Sequence, residues 1–328
     1  MSNRIRVAIA GYGNLGRGVE SALAQSPDMR LVGVFSRRDP ASVTLLDSSV
    51  PVHAMSTIEQ YQDEVDVMIL CGGSKTDLPE QGPYLAQFFN TVDSFDTHAK
   101  VPEYYAALDQ SARDAGRVAL LSVGWDPGLF SLNRLFGEAI LPEGETYTFW
   151  GKGLSQGHSD AVRRVPGVQS GVQYTLPSEE AIARVRSGEQ PELTTREKHK
   201  RECYVVLAEG ADADVVRDSI VTMPDYFADF DTTVNFIDQD TFAKEHSSMP
   251  HGGFVIRSGK TGEQNTQTVE YSLALGSNPE FTASVLVAYA RAVHRLARVS
   301  DIGAKTVFDI APGLLSPKSP AQLRKELL

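Results

Sequence analysis

Along the first third of the chain, short apolar runs alternate with amphipathic stretches. Residues 5–10, apolar apart from Arg6, end at Gly11, and residues 15–25 carry helical spacing. Residues 31–35 and 65–70 are again strand-like, 78–90 and 102–115 helical, and 91–93 and 118–121 short strands. Strands that alternate with helices predict right-handed crossover units on a parallel sheet. After Trp125-Asp126-Pro127-Gly128 the rhythm changes. Longer, mixed strand candidates cover 146–151, 172–176, 202–207, 232–237, 253–258 and 267–275, with helices 178–186 and 212–222 among them. That pattern predicts a second α+β domain with a mostly antiparallel sheet. Near the end, Phe281, Val285, Ala288, Tyr289, Ala292 and Leu296 recur at helical spacing, so the helix over 279–299 is expected to pack back on the first domain.

Composition narrows the function. With 31 basic and 42 acidic residues the net charge is −11, a poor match for nucleic acid or an anionic membrane. Two cysteines, Cys71 and Cys203, stand far apart and outside any paired motif. Neither a disulfide framework nor a structural zinc site is therefore expected. No apolar window is long enough to span a membrane, and the first residues lack the pattern of a signal peptide, so a cytoplasmic location is expected.

The chemistry starts at Gly11-Tyr12-Gly13-Asn14-Leu15-Gly16. This GxGxxG follows a predicted strand and opens a predicted helix, the context that distinguishes a dinucleotide fingerprint from an ordinary glycine-rich turn. Its glycines allow a tight turn, close approach of a pyrophosphate and close helix–strand packing. An NAD enzyme would carry an acid at the end of the second strand; here Ser36-Arg37-Arg38 offers a hydroxyl and two guanidiniums. Such groups bind a 2′-phosphate by charge-assisted hydrogen bonds, which predicts NADP. Cys71-Gly72-Gly73-Ser74 ends another parallel strand and leaves room for the cofactor. The fold expected is α/β: an N-terminal Rossmann, doubly wound parallel sheet over residues 1–122, with 279–328 packing back on it, plus an α+β substrate-binding and dimerisation domain over 123–278.

The residue patterns by themselves lead to an NADP oxidoreductase. A resemblance takes the reading further. Stretches 11–18, 35–38, 93–98, 124–128, 149–160, 172–178, 199–206, 223–227 and 249–253 resemble the meso-diaminopimelate D-dehydrogenase family. The most distinctive is Phe149-Trp150-Gly151 followed by Gly153-Leu154-Ser155-Gln156-Gly157-His158-Ser159-Asp160. The resemblance implies a two-domain homodimer that reversibly deaminates the D-centre of meso-2,6-diaminopimelate. The products are L-2-amino-6-oxopimelate, NADPH and ammonia; the oxo acid cyclises to tetrahydrodipicolinate, a precursor of lysine and peptidoglycan. It further implies that Asp96 and Asp126 serve the reacting end, where an ammonium must be docked and deprotonated. Read without it, either aspartate would pass as a turn or helix-start residue. For the substrate it implies Trp150, Gln156, Gly157, Thr175, Arg201, His251 and Asn278, with Arg201, Thr175 and His251 at the distal L-centre. For the cofactor, Asp93, Ser94, Phe95, Ser122, Val123, Gly124 and Trp125 join the residues already named. No metal is expected.

Two other function classes share parts of this pattern. A sugar-type Rossmann oxidoreductase typically carries a Glu-Lys-Pro segment after the fifth strand, whereas Asp93-Ser94-Phe95-Asp96-Thr97-His98 has no lysine. A non-catalytic NADP-binding sensor would need no paired carboxylates.

Overall fold

The structure is a computed structural model and describes residues 4–328. In chain order the elements begin with β1 (Ile5–Ala10), α1 (Asn14–Ala24), β2 (Met29–Ser36), β3 (Val52–Ala54), β4 (Val67–Leu70) and α2 (Leu78–Leu85). There follow β5 (Thr91–Asp93), α3 (Val101–Asp114), β6 (Val118–Leu120), α4 (Leu129–Ile140), β7 (Gly144–Trp150), β8 (Gly153–Leu154), α5 (Gln156–Arg163), β9 (Val168–Pro177), α6 (Glu179–Arg186) and α7 (Thr195–Lys198). The chain ends with β10 (His199–Leu207), α8 (Ala213–Val221), β11 (Asp231–Phe236), α9 (Gln239–Glu245), β12 (His251–Thr261), β13 (Asn265–Leu275), α10 (Asn278–Ala297), β14 (Gly303–Lys305) and α11 (Pro320–Leu327). It divides into two compact units: the chain up to Leu132 with Pro279–Leu328, and Asn133–Asn278.

The first unit holds a seven-stranded sheet in the order β14-β6-β5-β4-β1-β2-β3, and every recorded pairing is parallel. Side chains alternate between its two faces as the period of two requires. Val7, Ile9, Val67 and Ile69 face one apolar cluster with Val19 and Leu23 of α1 and Leu286, Tyr289 and Val293 of α10. Ala8, Ala10, Met68 and Leu70 face the other, with Leu78 and Leu85 of α2 and Tyr104, Leu108 and Ala112 of α3. Burying each large apolar side chain contributes about 1.5–3 kcal/mol, so both faces of the sheet are fixed. The sheet turns direction beside β1, and crevices outside the strands' carboxyl ends at such a switch point bind ligands.

The second unit has two sheets where the hydrophobic pattern suggested one. β13-β12-β7 is antiparallel throughout. In β11-β10-β9-β8 the pair β10–β11 is parallel and the rest antiparallel. On one face of the latter, Cys203 and Val205 pack with Ala161 and Val162 of α5, Val216 and Ile220 of α8, and Phe227. On the other face Val172, Tyr174 and Leu154 form a smaller cluster. The short strands β3, β8 and β14 and the helices α4 and α5 were not expected, and α2 ends at Leu85, short of the expected residue 90.

Candidate active site

The dinucleotide fingerprint forms the β1–α1 turn. Gly11 has φ +96°, a left-handed conformation that favours glycine, and its amide donates to the Phe35 carbonyl at 2.9 Å. A Cβ on Gly16 would stand 2.5 Å from the Gly11 carbonyl oxygen, so this helix can pack so tightly only without a side chain there. A Cβ on Gly13 would meet nothing within 4 Å. Gly13 therefore faces open space, which suits the approach of a pyrophosphate rather than internal packing.

That space is a pocket of about 360 Å³ lined by Gly11, Gly13, Asn14, Ser36, Arg37 and Arg38, with Arg17, Met55, Cys71, Gly72, Asp77 and Gln81 also on its wall. The guanidinium of Arg38 donates to the Tyr12 carbonyl at 2.6 Å, and its amide to Ser36 Oγ at 3.0 Å. Arg37 makes a two-pronged ion pair with Asp77 at 2.8 and 3.1 Å, while Asp77 also accepts from the Gly73 amide at 2.8 Å. Three arginines against one carboxylate leave the wall net positive, as a nucleotide phosphate requires. The Oε1 of Gln81 is buried at this wall without a hydrogen-bond partner. The residues present thus fit a phosphorylated dinucleotide.

Several residues expected at the cofactor have their side chains elsewhere. The Tyr12 ring is buried and its hydroxyl bonds the Glu20 carboxylate, which leaves the Tyr12 backbone at the pocket wall. Leu15 packs against the core that α1 covers. The side chains of Asp93, Phe95 and Val123 are essentially fully buried. Cys71 keeps some exposed surface, but enclosure of its thiol pushes the pKa well above the usual value. It is a neutral lining group. Ser74 holds the next loop: its Oγ accepts from the Asp96 amide at 2.9 Å and lies 3.2 Å from Thr97 Oγ1. Ser94 is half-buried, and Ser122, at φ +58°, buries an Oγ with no partner.

Asp96 is exposed just beyond β5. Asp126 lies beyond β6 in the turn Gly124–Gly128, where Gly124 and Trp125 carbonyls accept from the Leu129 and Phe130 amides at 3.0 and 2.8 Å. Trp125 is buried edge-on against Phe130, its ring centroid 5.3 Å away. Both aspartates thus stand at the carboxyl edge of the parallel sheet.

In the second unit the polar residues gather at one end of the β9–β10 face. Arg201 stands directly opposite Thr175 in the antiparallel register and donates to its Oγ1. The guanidinium lies 3.9 Å from the Phe230 ring centre, and its Nε is buried without a partner. Burial pulls the Arg201 pKa from 12.5 to about 10. His199, two residues earlier and nearly fully buried, accepts from the Trp150 amide at 2.9 Å and stacks on the Trp150 ring at 5.3 Å. Its pKa is pulled down to about 4 by burial, then by the charges of Arg201 and Lys198. Trp150 is 37% exposed. β8 lies beside Thr175, and the space that a Gly153 side chain would need is taken by the His251 ring. Gln156 and Gly157 are exposed at the start of α5, and Gln156 Nε2 reaches Met249 Sδ at 3.3 Å. The Asn278 amide donates to the Met249 carbonyl at 3.0 Å where α10 begins. All seven substrate candidates fall in this unit.

The model for the diaminopimelic acid dehydrogenase C-terminal domain matches residues 124–277. The meso-diaminopimelate D-dehydrogenase of Lysinibacillus sphaericus is 66% identical over 324 residues, 99% of each chain. The chain belongs to the meso-diaminopimelate D-dehydrogenase family. Among solved structures, the DAP dehydrogenase of Corynebacterium glutamicum in complex with DAP superposes with TM-score 0.91 at 52% identity, over the full length of both chains. An engineered D-amino acid dehydrogenase bound to NADP+ superposes with TM-score 0.86 at 50% identity, over 99% of this chain and all of that one.

For a diaminopimelate dehydrogenase the sequence reading missed four residues of consequence. Asp77 and Gln81 lie one helical turn apart at the start of α2, a spacing that places both on one face. Gln173 and His199 share the strand face of Thr175 and Arg201; Gln173 is fully buried, donates to Thr175 Oγ1 at 3.4 Å and keeps its Oε1 unpartnered. Alternation by two from Arg201 and Thr175 would have found both. Among the described residues no group of side chains could hold a metal ion, and no helix is long and apolar enough to cross a membrane.

Proposed function

We propose that this chain catalyses the reversible, NADP-dependent oxidative deamination of the D-centre of meso-2,6-diaminopimelate, giving L-2-amino-6-oxopimelate and ammonia, a step toward lysine and peptidoglycan precursors. The observation that carries the substrate assignment is Arg201. Its guanidinium is braced by Thr175 and Phe230, with a buried Nε that no protein group satisfies. An unsatisfied buried donor is costly, and a distal carboxylate would satisfy it. Ser36, Arg37, Arg38 and the Gly11–Gly16 turn hold NADP, which when bound supplies the hydride acceptor.

The chain's own groups do the rest. Asp96 and Asp126 receive the ammonium on the D-carbon and take its proton, because the nitrogen lone pair must be free before the C–H bond breaks. Water then hydrolyses the substrate imine to the oxo group and ammonia. Arg201, Thr175 and His251 anchor the L-end, with Gln156, Gly157 and Asn278 offering further polar groups and Trp150 walling the aliphatic chain. Binding energy at the distal end thereby becomes alignment at the reacting carbon.

We assign dimerisation to the second unit. β13 is an edge strand whose residues 265–270 are all exposed, a surface suited to a second copy. The test of the main reading is spectrophotometric: NADP with meso-, LL- and DD-diaminopimelate, following NADPH. Turnover of the meso isomer, with none of LL and less of DD, which lacks the L-end, supports it. Equal turnover of LL, or none of meso, overturns it. A monomer mass by light scattering at micromolar protein removes the dimer.

A further inference from the structure

We propose that Asp93 is a positioning residue for this reaction: its buried carboxylate ties the loop bearing Asp96 and the loop bearing Asp126 to each other and to Tyr104 of α3. The proposal rests on the roles given above to Asp96 and Asp126.

β5 and β6 are only three residues long, and they pair through Thr91↔Ala119 and Val92↔Leu120. The ladder therefore stops before either aspartate, and something else must fix the chain beyond it. Asp93 stands at that point, with none of its surface exposed. Its Oδ1 accepts from the Phe95 amide at 2.9 Å and the Ser122 amide at 3.3 Å. Its Oδ2 accepts from the Tyr104 hydroxyl at 2.7 Å, and its main-chain carbonyl from the Val123 amide at 2.9 Å. Phe95 immediately precedes Asp96, and Ser122-Val123 lead through Gly124-Trp125 to Asp126. One residue thus restrains both loops.

The surroundings are built around this carboxylate. Tyr104 stacks on Phe95 with ring centres 4.2 Å apart, and the space a Gly82 side chain would need is filled by the Tyr104 hydroxyl. Ser122 is held at φ +58°, a conformation non-glycine residues seldom adopt. Burial pushes the Asp93 pKa up to about 6, against the pull of the donors from Phe95, Tyr104 and Ser122. An apolar residue of similar size would avoid that cost but would leave two buried amides unpaired.

The test compares Asp93→Asn, Asp93→Leu and Tyr104→Phe with the parent enzyme, well below each melting temperature. Asparagine can keep an oxygen toward the two amides and donate to Tyr104, so it is the conservative variant. Misplacing a reacting group by about an ångström costs about 100-fold in rate. We expect kcat on meso-diaminopimelate to fall ~100-fold in Asp93→Leu and less, ~10-fold, in Asp93→Asn and Tyr104→Phe. The Kd for NADP, read by fluorescence titration, shifts much less than kcat, since the phosphate contacts of Ser36, Arg37 and Arg38 are untouched. Unchanged kcat in Asp93→Asn and Tyr104→Phe, whatever their melting temperatures, overturns the proposal. So does a parallel loss of NADP affinity and kcat, which would mean a collapsed site rather than a misaligned one. If Asp93→Leu fails to fold, the other two variants decide. Asp96→Asn and Asp126→Asn run alongside separate the premise: full activity in both withdraws their catalytic roles, whereas loss in both with parental kcat in Tyr104→Phe and Asp93→Asn overturns only the role of Asp93.

Discussion

Replacing Arg201 by methionine should lower activity without lowering stability. The guanidinium is braced by Thr175 and lies 3.9 Å from the Phe230 ring centre, with one buried N–H left over. Holding it charged there is unfavourable, as the fall in its pKa from 12.5 to about 10 indicates. At about 1.4 kcal/mol per unit, and discounted for its partial exposure, that penalty is about 1–2 kcal/mol. Methionine keeps the stem, can contact Phe230 through sulfur, and leaves Thr175 Oγ1 bonded to Gln173. The free enzyme should therefore melt at the same temperature or a few degrees higher. Catalysis should move the other way. Losing charge-assisted hydrogen bonds to a distal carboxylate costs about 3 kcal/mol, or ~100-fold in kcat/KM on meso-diaminopimelate.

The assay is steady-state NADPH formation with meso-diaminopimelate and with a D-amino acid whose far end is apolar, alongside calorimetric melting of the cofactor-free protein. Activity on the apolar substrate should rise relative to meso-diaminopimelate, because no buried guanidinium is then left without a partner. Unchanged kinetics on meso-diaminopimelate would show that Arg201 does not hold the substrate. A melting temperature lowered by several degrees would show that the guanidinium stabilises the fold, contrary to the burial argument.

Three further expectations follow from the same geometry. Gly13→Ala should fold normally, since its Cβ meets nothing within 4 Å, yet weaken NADP binding ~10-fold or more, whereas Gly16→Ala, 2.5 Å from the Gly11 carbonyl oxygen, should be destabilised as well; equal melting temperatures for the two would refute the distinction. Arg37→Ala should raise the KM for NADP ~10- to 100-fold and leave that for NAD nearly unchanged; a matching change for both cofactors would remove Arg37 from the phosphate site. His199 is held neutral down to about pH 4 in the fold, while an unfolded histidine protonates near 6.5, so its contribution to stability is lost as the pH falls from about 6.5 to 4, by up to about 3 kcal/mol. In His199→Gln, which can still accept from the Trp150 amide, the loss of urea resistance between pH 7.5 and 5 should shrink; an undiminished loss would place the effect elsewhere.

How much of this was legible in the sequence depends on the scale of the signal. The parallel sheet could be read because its longer strands are mainly apolar, and β1 buries Val7 and Ile9 on one face and Ala8 and Ala10 on the other. β3, β8 and β14 have three residues or fewer and carry no apolar run, unlike the equally short β6, yet β14 forms one edge of the seven-stranded sheet. The splitting of the second unit into two sheets was equally hidden, because alternation marks which side of a strand is buried and not which strand it pairs with. For the site, Arg37 and Arg38 announced a phosphate by charge alone, but the ion pair of Arg37 with Asp77 joins residues 40 apart and depends on two loops meeting.

Asp93 and His199 show where reading by residue type fails in the opposite sense. Each is a polar residue at a strand terminus, and the resemblance put Asp93 among the cofactor-binding residues. The structure turns Asp93 inward and surrounds it with three donors, and it buries His199 as an acceptor for a backbone amide. Neither arrangement can be inferred from charge or hydropathy, since burial of a polar group is tolerated only when its partners arrive from other segments. For Asp93 those partners are Phe95, Tyr104 and Ser122, between 2 and 29 residues away. A buried carboxylate that takes two amide donors from the roots of the two aspartate loops and a hydroxyl from Tyr104 of α3 carries a desolvation cost that an uncharged residue would avoid. Its presence is best accounted for by what it holds in place.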